Sequence, residues 1–208
     1  MRKRCVSLLS RGFLLCLIPF VPADGATPPV ISAITNVASV ATPSLAPGSM
    51  ASIFGSNLAG STSAASSAPL STTLGNVTVT VGATLAPLWF VSPSQINFQI
   101  PYETTPGTTV PVVVSNNGTA SNTFQLQIAA TAPGIFFTGN GTDAVAVNNP
   151  SQTLNSAGNQ APAGSTVSIF LTGIGAVTPS VSDGAAAPPS PPSTANALEK
   201  LSQQLQFI

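Results

Sequence analysis

Between residue 26 and the C-terminus the chain holds five charged side chains: Glu103, Asp143, Asp183, Glu199 and Lys200. It has no histidine, and its two cysteines, Cys5 and Cys16, both lie in the first 25 residues. That inventory limits the chemistry sharply. With no His and no Cys in the body, neither a Ser-His-Asp triad nor a Cys-His pair can form, and an ordinary zinc site lacks its ligands. No G-x-S-x-G string occurs. A Ser-Lys dyad would have to draw on Lys200. Glycoside hydrolysis would need two of the four carboxylates roughly 5–10 Å apart. Gly139-Asn140-Gly141-Thr142-Asp143 could offer oxygens to Ca²⁺, yet tight sites use more carboxylates, and a β-turn with Asp143 capping backbone amides explains the same residues. Trp89 and Tyr102 could stack on sugar rings. Trp89 sits between apolar neighbours in Leu88–Val91, which favours a core role. Tyr102 follows an apolar alternation and is the better exposed candidate, although a structural role is favoured for it as well. Asn76-Val77-Thr78, Asn117-Gly118-Thr119 and Asn140-Gly141-Thr142 fit the glycosylation acceptor pattern, which chance produces readily in a chain this rich in Asn and Thr. The residues therefore predict no catalytic, cofactor-binding or metal site, and a protein that is not an enzyme.

The elements that would position these groups follow from composition. Charged residues are 5% of the 208, against about 25% in an average soluble domain. Such a chain lacks the basic surface a nucleic-acid binder needs. Apolar residues are 43%, enough for a packed core. The N-terminus reads as an address. Met1-Arg2-Lys3-Arg4 is cationic, Gly12 to Val21 is an apolar run of about ten residues, and Ala23-Asp24-Gly25 offers small residues for cleavage after Gly25. The run is too short to span a bilayer about 30 Å thick. Residues 1–25 are thus expected to be a signal peptide, with an uncleaved anchor as the alternative. The expected product is exported, carries a net charge of −3 (one Lys against four carboxylates), has no thiol and no disulfide, and keeps no transmembrane segment.

Period-two alternation recurs in the body. Val77-Thr78-Val79-Thr80-Val81, Ile96-Asn97-Phe98-Gln99-Ile100 and Phe124-Gln125-Leu126-Gln127-Ile128 each predict a strand with one face on a core and one in water. Less regular apolar runs are Ser52–Phe54, Leu88–Val91, Val110–Val114, Val145–Val147 and Val167–Leu171. Turn formers separate them, and Asn117-Gly118 marks a hairpin. Pro101 and Pro111 read as guards at strand ends or edges. No stretch of ten or more residues in the body shows helical periodicity. The expected fold class is all-β, an immunoglobulin-like antiparallel β-sandwich.

The chain also repeats itself. A-P-(x)-G-S-x-x-S-I-F occurs from Ala46 to Phe54 and from Ala161 to Phe170, with Ser49 on Ser165 at an offset of 116. That period suits tandem sandwich modules. After Ser165 only 43 residues remain, and Asp183 to Pro192 is a loop rich in Ala and Pro. The strands that follow Ser49 have no evident counterpart there. Leu198, Leu201, Leu205 and Ile208 are spaced three, four and three apart, a short amphipathic helix pattern. The expected division is a first module over 26–130, an incomplete second module over 131–192, and an atypical tail over 193–208, a short helix or disordered. A half-sandwich leaves an apolar face and unpaired edges. The second module is accordingly expected to be poorly ordered or to pair with the first.

Gly75 to Gly82, Ala86-Pro87-Leu88-Trp89-Phe90-Val91-Ser92-Pro93-Ser94-Gln95-Ile96-Asn97-Phe98-Gln99-Ile100-Pro101-Tyr102-Glu103 and Ala132 to Phe136 resemble an uncharacterised C-terminal domain repeated across secreted proteins of Solibacter and other acidobacteria. The likeness runs from about Ile31 to Pro192 and is most specific at Ser92 to Pro101. It implies two immunoglobulin-like halves akin to IPT/TIG modules, with the second half cut short from Ala195 onward by a frameshift, an early stop or a fragmentary gene model. No catalytic residues are known for that family, so none carry over. The expected role is a non-catalytic interaction or display module, adhesive, scaffolding or surface-retaining, outside the cell or at its surface, with the periplasm as another destination. Its expected partner is an unknown protein or polysaccharide, with self-association through exposed strand edges. The alternative is a carbohydrate-binding accessory module, and a third reading is a hydrolase of unfamiliar class.

Overall fold

The computed structural model describes residues 27–40, 44–139, 141–188 and 194–195. The expected signal peptide and the helical pattern from Leu198 to Ile208 lie outside the described residues. No helix occurs among those described, and the architecture is an all-β sandwich. Ten strands precede residue 130: β1 (Val30–Asn36), β2 (Met50–Ser56), β3 (Ser63–Ala64), β4 (Val77–Val81), β5 (Thr84–Leu85), β6 (Leu88–Val91), β7 (Gln95–Gln99), β8 (Thr109–Asn116), β9 (Thr119–Ala120) and β10 (Phe124–Gln127). One sheet runs β1-β2-β7-β6-β3 and the facing one β10-β8-β4-β5, with β9 off β8.

The period-two segments behave as alternation requires. Val77, Val79 and Val81 are buried while Thr78 and Thr80 are partly exposed, and Ile96 and Phe98 point inward between Gln95, Asn97 and Gln99. Val79 pairs with Val114 and Val81 with Val112, so β-branched side chains stack across the ladder inside the core. Asn117 and Gly118 both take positive φ, 48° and 82°, the primed turn that matches strand twist. Gly75-Asn76 makes a second such turn, at 56° and 60°. β1 escaped the alternation rule because its register shifts between Ile31 and Ala33. The bulge turns Ile31 and Ile34, three apart, to the same core. Asn122 ties β1 to the loop before β10, accepting from Ile31 N–H (2.7 Å) and donating to Ile31 C=O (3.1 Å).

Pro101 stands at a strand end as expected, just past β7, but Pro111 is not an edge guard. It lies within β8, between β10 and β4. Its carbonyl accepts from Gly82 N–H (2.8 Å). Its missing N–H therefore faces the turn where β4 has ended, and no ladder bond is lost.

Beyond residue 130 come β11 (Gly134–Ile135), β12 (Ala146–Asn148), β13 (Thr153–Leu154), β14 (Val167–Ile169), β15 (Leu171–Thr172), β16 (Val177–Thr178) and β17 (Thr194–Ala195). They form small sheets: β11-β15, β13-β12-β14 and β16-β17. Every fully buried apolar side chain among the described residues precedes residue 129. The second region holds to the first through polar contacts. Met50 N–H donates to Thr172 Oγ1 (2.8 Å), and Asn36 Nδ2 donates to the Ala132 carbonyl (3.1 Å). Gly134 lies so close to Asn36 that a Cβ there would sit 2.5 Å from Asn36 Oδ1.

Candidate functional site

The second seam contact brings two of the sequence-marked carboxylates together. β7 ends at Gln99, and Ile100-Pro101-Tyr102-Glu103 turns across the end of the sandwich. Ile100 N–H donates to Ser49 C=O (2.9 Å) and Thr104 N–H to Pro101 C=O (3.1 Å), which holds the turn rigidly. The loop Ser182-Asp183-Gly184-Ala185 meets it from the second region. Tyr102 N–H donates to Asp183 Oδ1 (2.9 Å), and Gly184 N–H donates to Gln99 Oε1 (2.7 Å). On the far side, Leu70 N–H donates to Gly184 C=O (2.9 Å). Gly184 is required there. Its φ is +71°, and a Cβ would lie 2.9 Å from the Leu70 carbonyl oxygen.

Partial burial pushes the Asp183 carboxyl above its ordinary range. The Tyr102 N–H opposes that shift, whereas a hydrogen bond shared with the Glu103 carboxyl, and its charge, add to it. The Tyr102 phenol is raised as well, by desolvation first and by Asp183 second. Tyr102 is not an open aromatic platform. Its ring lies over Gly48, where a Cβ would come within 2.3 Å of Cε1. A surface depression of about 330 Å³ adjoins the pair, lined by Glu103, Thr104, Thr105, Thr108 and residues 81–84. Glu103 is its one charged lining residue.

The other marked residues stand apart. Asp143 closes the hairpin loop before β12, where its carbonyl accepts from Thr138 N–H (2.8 Å). The described residues hold no group of three or more His, Cys, Asp or Glu side chains that could hold a metal ion. Trp89 is partly exposed on β6, less buried than its apolar neighbours suggested. Glu199 and Lys200 lie outside the described residues. Sequence reasoning named Glu103 and Asp183 separately but missed their meeting, for nothing local links positions 80 residues apart.

The search of curated proteins found no match. Among solved structures, a gamma-CGTase from alkalophilic Bacillus clarkii is similar over 74% of this chain and 22% of that one, at 17% identity and a TM-score of 0.37. This chain thus spans about a fifth of that protein's length. The family model described as IPT/TIG domain matches residues 29–129, the stretch that carries the two facing sheets, so an IPT/TIG domain, an immunoglobulin-like fold, is found there.

Proposed function

We propose that this protein is a non-catalytic, exported β-sandwich module for interaction or display at or beyond the cell surface, of the kind found in the acidobacterial secreted proteins it resembles. The observation that supports this most is the use made of its acids. Asp183 accepts from the Tyr102 backbone N–H in a seam between two parts of the chain, with the Glu103 carboxyl near enough to raise its proton affinity. Their work there is structural. The outer sheet faces are neutral, lined by Thr78, Thr80, Gln95 and Asn97, and suit contact with an uncharged surface. The edges and end loops of such a sandwich carry binding.

Expression of the full chain in a bacterial host tests export and role together. The expected result is a product that begins at Ala26 and is retained on cells or matrix. A product that keeps residues 1–25 and stays in the cytoplasm overturns the reading. A carbohydrate-binding role is the second reading, supported by the partly exposed Trp89 and Phe90 on β6. Pull-down on insoluble polysaccharides would then fall at least tenfold on Trp89→Ala, whereas the first reading expects no such loss.

A further inference from the structure

We propose that the open edge of β14 pairs antiparallel with the β14 edge of a second copy of this chain, joining two three-stranded sheets β13-β12-β14 across a two-fold axis. The internal repeat shows that this edge is of a kind that takes a strand. Asn36 ends β1 and Asn148 ends β12, both buried. Each carbonyl accepts from the N–H four residues on, Val40 in one case and Gln152 in the other, and both those residues have positive φ, 57° and 56°. Gly48 and Gly164 take φ of 74° and 80°, and each turn closes onto its serine: Ser49 N–H to Ala46 C=O and Ser165 N–H to Pro162 C=O, both 3.0 Å. Thus β12 stands to β14 as β1 stands to β2. The repeats part at the other edge. β2 has β7 there, while β14 ends its sheet among the described residues. Ala51 and Ile53 are sealed, and their equivalents Val167 and Ile169 are partly exposed.

The backbone directions fix what the edge lacks. Phe170 N–H donates to Val145 C=O (3.1 Å), and Asn149 N–H donates to Thr166 C=O (3.0 Å). Thr166, Ser168 and Phe170 therefore turn their peptide groups to the β12 side. By alternation Val167 and Ile169 turn theirs to the open edge, where no described strand meets them. The edge is also unguarded. Thr166 to Phe170 holds no Pro and no charge, and no charged residue lies between Asp143 and Asp183. A second copy fits because this edge matches itself. With a two-fold axis at Ser168, Val167 lies opposite the partner subunit's Ile169, and Ser168 lies opposite the partner subunit's Ser168. Each Val–Ile pair then exchanges both of its N–H···O=C bonds. Aliphatic meets aliphatic on one face and hydroxyl meets hydroxyl on the other. With no charge in the stretch, nothing repels across the axis. A foreign strand would have to bring this order, whereas another copy carries it by construction. A three-residue strand buries far less than the ~1,000 Å² of a standing interface, so the pairing is reversible and grows with concentration. Chains crowded on a surface would favour it.

Two measurements on the purified full chain test this, and they decide it whatever the chain's destination, so the inference stands or falls apart from the proposed export and display. Amide exchange is the first. Val167 and Ile169 should exchange at least threefold more slowly in concentrated than in dilute solution. Equal protection at both concentrations means that the chain covers its own edge, and fast exchange at both means that the edge stays open or awaits another protein. Either result overturns the proposal. Disulfide trapping is the second, with Cys5→Ser and Cys16→Ser throughout. Facing residues at a non-hydrogen-bonded antiparallel position lie within disulfide reach. Ser168→Cys should therefore link two molecules at least tenfold faster than Thr166→Cys. Residues 166 and 168 are both exposed and lie on one face. Across the axis, however, the two copies of 166 stand roughly 13 Å apart at about 3.4 Å per residue, beyond that reach. Equal rates overturn the pairing. Val167→Pro, added to Ser168→Cys, removes an N–H that β12 does not use and should slow the link at least tenfold. An unchanged rate overturns the proposed register.

Discussion

Ser52-Ile53-Phe54 and Ser168-Ile169-Phe170 are one string in two surroundings. The first lies within β2 and the second ends β14 with Phe170 just beyond it; both follow a Gly-Ser turn, and both leave their phenylalanine exposed, Phe54 37% and Phe170 50%. Ile53 is nevertheless fully buried, between Ile34 on β1 and Ile96 on β7 and beneath a facing sheet, whereas Ile169 has Ala146 on one side and keeps part of its surface open. A strand's local conformation and its burial are therefore separate properties. The first belongs to the string, and the second is conferred by strands that come from elsewhere in the chain. Hydrogen bonds at two seams tie the second region to the first, and among the described residues it has no fully buried apolar side chain.

The comparison is most severely tested at Phe98, the largest fully buried side chain. Phe98→Ala should lower unfolding stability by about 3–5 kcal/mol in urea titration. A smaller loss would mean that the first sandwich is no better packed than the second region. Ile53→Ala should cost about 2–5 kcal/mol. Ile169→Ala should cost at least about 1 kcal/mol less, because part of its surface is already open to solvent. Equal values would erase the distinction. Asn36→Ala should cost about 1–3 kcal/mol, since it strands the Ala132 carbonyl and the Ala38 N–H at once. It should also loosen the second region first, seen as early protease cleavage after residue 130.

The pH response sharpens the comparison at the other seam. The docked Asp183 carboxyl binds its proton more tightly than the undocked one, so the docked state holds more protons in the window above 3.8, the ordinary value. Its contribution is present below that value and is lost as pH rises through the raised docked value. Docking should therefore be firmer near pH 4 than at pH 7. Asp183→Asn keeps an oxygen for Tyr102 N–H and should flatten this part of the profile, measured as the wild-type-minus-variant difference in urea midpoint. A difference that grows with pH would reverse the assignment. The smallest effects belong to Phe54→Ser and Phe170→Ser, each within about 0.5 kcal/mol by thermal melt, as expected of surface positions in either region.

Much of the fold was legible because its signals are local. Val77–Val81, Ile96–Ile100 and Phe124–Ile128 alternate and Asn117-Gly118 turns, and the strands Val77–Val81, Gln95–Gln99 and Phe124–Gln127 fall on those segments to within a residue at each end. β1 was hidden by a one-residue bulge that breaks the period, and Pro111 was misplaced because a missing N–H says nothing about which neighbour it faces. The candidate site was legible only as a roster of acids. For Tyr102 a structural role was favoured, but only the structure put Gly48 beneath its ring.

The amino-acid order alone determined that this chain is built of strands, where it turns, that one unit recurs at an offset of 116, and that the body carries no imidazole or thiol. These follow from side-chain type and near-neighbour sterics. Only the tertiary structure decided which copy of the repeat is sealed, and that Asp183 comes to rest against Glu103. Both depend on partners 40 to 80 residues away, and pairing over such distances is set by how whole sheets close on one another.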